Sequence, residues 1–166
     1  IIPPLLFAPL SIHCHDDLGF ALANTVAALR AGASSAHVTV NGLGERAGNT
    51  GLEELVMALE VLYGVKTGIR TEELYPLSTH VARLTGVPLA TNKPIVGEMA
   101  FTHESGIHAH GVMRDASTYE PLQPERVGRK RRIVLGKHSG STAVEAALHD
   151  MGYAPDSAQL AEIVAR

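Results

Sequence analysis

Strand and helix patterns alternate between residues 9 and 62, and that order narrows the fold more than any other feature of the chain. Pro9 to His15 reads as a buried strand whose far end turns polar. Leu18 to Arg30 carries apolar residues at 18, 21, 22, 26 and 29, the spacing of one helical face, and Ala31-Gly32-Ala33 stops it. His37 to Asn41 reads as a second short strand, and a glycine-rich loop from Gly42 to Gly48 leads into another helix. Its buried stripe is Leu52, Leu55, Val56, Leu59 and Leu62, and Thr50 and Glu53 have the spacing of a capping box at its start. Strand, helix, strand, helix in so few residues is a βαβα unit of a parallel sheet. Two parallel strands do not form a stable sheet covered on both faces, so the chain is expected to be part of a larger α/β assembly.

The pattern changes after Gly64. Thr71 is placed to cap a helix carrying Leu74, Leu77, Val81 and Leu84, closed by Gly86 and Pro88. Asn92 to Lys137 shows little periodicity but holds His103, His108, His110, Tyr119 and a basic stretch from Arg126 to Arg132. An Ala-rich helix is predicted from Ser141 to about Met151, and another from Asp156 to Val164. The opening run, Ile1 to Leu10, is apolar and carries Pro3, Pro4 and Pro9. It is shorter than the roughly 20 residues a membrane span needs, and it lacks the Met and charged region of a signal peptide. It is expected to be a chain opened upstream of a genuine strand.

An apolar content of 45%, a charged content of 19% and a net charge of −3 describe an ordinary globular protein and point to neither nucleic acid nor an anionic membrane. The single cysteine, Cys14, leaves no intrachain disulfide and fits a reducing cytoplasm.

Two short segments carry the chemistry. In His13-Cys14-His15-Asp16-Asp17 the strand period puts His13 and His15 on one face and Cys14 on the other. Two imidazoles at the C-terminal end of a parallel strand make half of a metal site, and that end is where parallel α/β folds keep their chemistry. In Asn41-Gly42-Leu43-Gly44-Glu45-Arg46-Ala47-Gly48-Asn49 the glycines let the backbone pass close to a ligand, and Asn49 offers a neutral oxygen to a divalent ion. The competing role for Asn49 is a simple helix cap. The basic stretch is expected to be a solvated or subunit-facing surface, with contact to a ligand's phosphates as its sharper alternative.

These segments closely resemble the isopropylmalate/homocitrate/citramalate synthase family. The resemblance continues through Leu52-Glu53-Glu54-Leu55, Asn92 to Glu98, His103-Glu104-Ser105-Gly106-Ile107-His108 and Leu135 to Gly140, covering roughly residues 9 to 153. It implies an α/β fold: residues 1–64 as the C-terminal portion, the last two βα units, of a TIM (β/α)8 barrel, followed by a mainly helical subdomain over 65–166. It implies a divalent ion (Mg, Mn or Zn) held by His13, His15 and Asn49, with His108 and Tyr119 supplied by the subdomain to catalysis. The implied reaction is a Claisen-type condensation: a metal-polarised 2-oxo acid is attacked by the enolate of acetyl-CoA, and thioester hydrolysis releases CoA. It further implies a homodimer with exchanged subdomains, so that His108 and Tyr119 act on the partner's site.

No Arg-Asp-Gly-Glu-Gln motif, which carries the family's catalytic Arg and a metal-ligating acid, is present; Arg114-Asp115-Ala116 is the nearest string and lies in the wrong element. The chain alone is therefore expected to be inactive. Among the family's activities, 2-isopropylmalate synthase of leucine biosynthesis is the first expectation, then homocitrate or citramalate synthase. A hydroxymethylglutaryl-CoA-type lyase shares the His-Cys-His-Asp strand but not the Gly-Glu-Arg-Ala-Gly-Asn loop, and ranks lower. An inactive fragment acting only in assembly is the non-enzymatic alternative.

Overall fold

The computed structural model describes residues 8–103, 122–134 and 139–165. The chain is mixed α/β. β1 (Ser11–His13) and β2 (Ser35–His37) pair in parallel with His13 opposite His37, and α1 (Ala21–Arg30) connects them. A short 3-10 turn (Val40–Gly42) and the glycine-rich loop lead to α2 (Leu52–Tyr63). α3 (Leu74–Thr85) comes next, then a second parallel pair, β3 (Thr102–His103) with β4 (Arg132–Ile133). α4 (Ser141–Asp150) and α5 (Ser157–Ala165) come last and contact each other.

Where elements begin differs from the sequence reading for local reasons. α1 starts three residues late because Gly19 takes φ +76° in a turn, and the Asp16 carboxylate then accepts the Ala21 N–H at 2.8 Å. Leu18 and Phe20 are left exposed, and the inward face of α1 is Ala21 and Thr25 rather than the larger apolar residues. β2 pairs two residues earlier than expected. Asn41 sits at φ +62°, a left-handed conformation that no strand continues through. Thr39 still bridges to Gly51, but the ladder ends there.

The capping box at α2 is not formed. Gly51 is the N-cap and no side chain caps it; Thr50 instead bonds Thr25 across a buried 2.8 Å hydroxyl pair. α3 likewise starts after a 3-10 turn (Thr71–Glu73) with no side-chain cap from Thr71, although Gly86 closes it in the left-handed conformation as expected. Its buried face is Leu74 and Ser78, one turn apart, while Leu84 is 73% exposed.

One apolar core joins α2 to α3 and to segments further along the chain. Val56 and Met57 pack with Leu74, Phe101, Leu122 and Val127, with Leu52 and Ile95 against the edge. Each such side chain, fully buried, contributes about 1.5–3 kcal/mol. This core crosses residue 64 and so fixes the start of α2, and with it the glycine loop, against α3. Among the described residues no helix is long and apolar enough to cross a membrane.

Candidate metal centre

β1 delivers His13 at its last residue, and the chain stays extended so that His15 makes an isolated antiparallel bridge with Asn49. The rings of His13 and His15 lie edge to face with centroids 5.0 Å apart, on the same side as the alternation requires. Asn49 closes the third side. Its amide nitrogen stands 3.1 Å from His13 Nε2 and donates to the Cys14 carbonyl at 3.2 Å. Asn49 is thus turned toward the histidines and does not cap α2, which removes the competing role for it.

The glycine loop is built to put Asn49 there. The Asn49 N–H donates to the Gly42 carbonyl at 2.9 Å, and the Asp16 N–H donates to the Gly48 carbonyl at 3.0 Å. A Cβ on Gly44 would fall 1.7 Å from Asn49 Oδ1, and one on Gly48, at φ +93°, 2.1 Å from the Gly42 carbonyl. Only hydrogen fits at either position. Arg46, itself at φ +56°, forks onto Asp17 with bonds of 2.8 and 2.9 Å and so ties the loop to the His-Cys-His-Asp-Asp segment. The hydrogen bond from Arg46 holds the Asp17 carboxyl below its ordinary range, and Asp17 in turn raises Arg46.

A second set of side chains stands behind the loop. Glu53, fully buried, accepts the Asn41 N–H through both oxygens at 2.9 and 3.1 Å. Burial pushes its carboxyl above the ordinary value. The Asn41 side chain is clasped by Ser78 of α3: its amide donates to the Ser78 carbonyl at 2.9 Å, and the Ser78 hydroxyl donates back to Asn41 Oδ1. Beside them Lys93 forms a largely buried ion pair with Glu54 at 2.6 Å. Asn41, Glu54 and Lys93 border a cleft of about 300 Å³ that reaches Asp16, Gly42 and Asn49.

The donors present suit a divalent ion. Two imidazoles, with the Asn49 amide turned so that its oxygen replaces the nitrogen now facing His13, would make a nitrogen–oxygen set of the kind that Mn, Fe, Co and Zn accept. The buried Nδ1 of His15 has no hydrogen-bond partner, a cost that a native structure ordinarily avoids unless the atom serves a purpose. They form part of a shell only, since among the described residues no three His, Cys, Asp or Glu side chains gather as a metal site.

Other sequence expectations fall elsewhere. His108, His110 and Tyr119 lie outside the described residues, and of His103 only its place in β3 is described. In the basic stretch Arg126, Lys130 and Arg132 are exposed, as a solvated surface requires, while Arg129 is half-buried and tied to the chain. Arg129 donates to the carbonyls of Val96, Gly97 and Glu98 at 2.9, 2.6 and 2.9 Å, and its guanidinium lies 4.5 Å over the Tyr75 ring. Arg126 pairs with Glu60 at 3.3 Å and Arg132 with Glu98 at 2.6 Å. Sequence reasoning assigned Glu53 only to a helix cap and gave no site role to Ser78, Lys93 or His37, whose ring lies 5.7 Å from that of His13. A signal existed for Glu53: it lies three residues before Val56, on the apolar side of its helix.

Comparison with known proteins matches the chain to two family models. Residues 4–81 match the family described as HMGL-like, and residues 95–166 the family described as homocitrate synthase post-HMGL domain-like. A relative from Methanoculleus marisnigri named as an (R)-citramalate synthase is 92% identical over the whole chain, which covers 33% of that relative. One of the same name from Methanosphaerula palustris is 75% identical, again over the whole chain and 33% of the relative. A relative from Ignicoccus hospitalis named as a 2-isopropylmalate synthase is 58% identical over 94% of the chain and 39% of its own length. The chain therefore spans about a third of the length of the curated relatives it matches. The two more similar of these three relatives carry the citramalate synthase name, not the 2-isopropylmalate synthase name that the sequence reading placed first. From the histidine strand to the last helix, the chain belongs to the isopropylmalate/homocitrate/citramalate synthase family.

Proposed function

We propose that this chain supplies the metal-binding end and following subdomain of an enzyme that condenses acetyl-CoA with a 2-oxo acid, and that the product is citramalate. Citramalate bears a methyl group on its carbinol carbon, so the 2-oxo acid that yields it with an acetyl unit is pyruvate. The observation that carries the reading is the convergence of His13, His15 and Asn49 at the C-terminal end of a parallel strand. A divalent ion held there would polarise the ketone of the oxo acid. The chain's own residues do the rest of the placing. The two imidazoles are presented side by side, Asn49 is held against them by the glycine loop, and Arg46 and Asp17 lock the two segments together.

Residues 1–64 are proposed as the last two βα units of a (β/α)8 barrel and 65–166 as the helical subdomain. His108 and Tyr119 are proposed to reach the metal site of the partner in a homodimer. The isolated chain is expected to be inactive, because the Arg-Asp-Gly-Glu-Gln motif that carries the family's catalytic Arg and a metal-ligating acid is not among its residues.

The test is a chimera in which this chain replaces its matching third of the Methanoculleus marisnigri relative. It should release CoA from acetyl-CoA in the presence of pyruvate and a divalent ion, and His13→Ala should abolish release. A chimera without turnover, or one indifferent to His13→Ala, would defeat the reading. Mixing His13→Ala and His108→Ala chimeras under subunit exchange should restore activity; no recovery after verified exchange would place both groups within one subunit.

A further inference from the structure

We infer that Glu53 and Ser78 are positioning residues for the metal centre, acting on Asn49 through Asn41 and the loop that it opens. The inference rests on the proposed metal role of His13, His15 and Asn49. Asn41 is held in the left-handed region at φ +62°, a conformation that a non-glycine residue keeps only where its surroundings favour it. Two helices enforce it here. Glu53 of α2 receives its N–H through both carboxylate oxygens, and Ser78 of α3 both accepts from and donates to its side-chain amide. Glu53 and Ser78 are each fully buried.

The link from Asn41 to the metal side of the loop is short. The next residue, Gly42, accepts the Asn49 N–H at 2.9 Å, and Asn49 then meets His13 Nε2 at 3.1 Å. A rotation of Asn41 out of its left-handed state swings the Gly42 carbonyl and releases the backbone of Asn49. Glu53 is a costly way to satisfy one N–H, since removing a carboxylate from water is unfavourable without strong compensation. The residue at this position of α2 could have closed a capping box with Thr50 instead. That it is spent on Asn41 is explained if the conformation of the loop is what matters. Ser78 adds that the loop is set from both α2 and α3, so the centre is correctly shaped only when the two helices are packed.

The test uses the same chimera and reads Mn²⁺ binding by the loss of the free-ion electron paramagnetic resonance signal, which needs no turnover. Glu53→Ala should raise the Mn²⁺ Kd about tenfold, the lower end of what loss of an outer-shell partner costs. Glu53→Gln, which keeps an acceptor for the Asn41 N–H, should stay within about twofold of the parent, and Ser78→Ala should weaken binding about threefold, as loss of one hydrogen bond does. A role confined to helix stability would lower the hydrogen-exchange protection of α2 and leave the Mn²⁺ Kd in place; that result overturns the inference. Should Glu53→Ala fail to fold, an unchanged Kd in Ser78→Ala overturns it equally. A Glu53→Gln variant as weak as Glu53→Ala would overturn the acceptor role. A parent chimera that binds no Mn²⁺, or binds it undiminished after His13→Ala, would defeat the metal reading itself, and that failure is distinct from a parent that binds while its Glu53 and Ser78 variants bind as well.

Discussion

The starts of α2 and α5 carry the same local signal and put it to different uses. At α5, Asp156 accepts the N–H groups of Ala158 and Gln159, both at 2.9 Å, while Gln159 accepts the Asp156 N–H at 3.0 Å. That is a reciprocal cap satisfying the orphan donors of a helix end. At α2, Thr50 and Glu53 stand at the same spacing, yet Thr50 bonds Thr25 and Glu53 bonds Asn41. The helix far from the metal centre spends its polar side chains on itself. The helix beside the centre spends them on its neighbours, and its own start is left without a side-chain cap. Local signals are obeyed where nothing competes, and diverted where a nearby loop has to be shaped.

Variants of the chimera test that contrast, read as local opening free energies from native-state hydrogen exchange. The largest effect is expected from Glu53→Ala, which should lower protection across the start of α2 and the 41–49 loop by about 2 kcal/mol, because it strands a buried N–H. If only α2 lost protection and the loop did not, Glu53 would be an ordinary helix residue. This site also carries a pH signature. The folded Glu53 titrates above its ordinary value, so its stabilisation is complete below the ordinary carboxylate range and is lost as pH rises through the elevated value. Protection of α2, corrected for intrinsic exchange, should fall over that window in the parent and stay flat in Glu53→Gln.

Thr50→Ala should cost about 1.5 kcal/mol and be felt in α1 as much as in α2, since it leaves the Thr25 hydroxyl buried without a partner. Loss confined to the first turn of α2 would mean that Thr50 caps after all. Asp156→Ala should cost about 1 kcal/mol, confined to α5. The smallest change, about 0.5 kcal/mol or less, is expected from the double substitution Thr25→Val with Thr50→Val, which removes both hydroxyls together; a loss as large as that of Thr50→Ala would contradict the pairing.

The parts of the molecule that were legible in the sequence are those decided within a few residues. The two βα units follow from apolar spacing, Gly86 ends α3 because the left-handed cap suits glycine, and the paired faces of His13 and His15 follow from strand alternation. The features that were missed depend on contacts distant in sequence. The end of β2 is set by Asn41, whose conformation is held by residues 12 and 37 positions away. The Asn41-Gly42 pair is itself a turn signal, and a stricter reading of it would have ended the strand earlier. Within the basic stretch the anchoring of Arg129 was not legible for the same reason: it answers to carbonyls more than 30 residues upstream, and no local window contains both. His108 and Tyr119 lie outside the described residues, so their expected roles rest on the resemblance and the subunit-mixing experiment.

The way the glycine loop closes on itself also sets what lengths of chain it can hold. Its ends meet where Asn49 bonds Gly42, and Gly48 leaves no room for even a methyl group against the same carbonyl. The segment between is a ring of fixed circumference. An inserted or deleted residue anywhere from 43 to 47 would have nowhere to bulge without parting that closure, whereas the exposed residues after Val65 lie past the Val65 N–H to Leu59 carbonyl bond that closes α2. Change in the loop is therefore confined to substitution at the few positions whose side chains point away, and length variation in this part of the molecule has to be sought downstream of Val65.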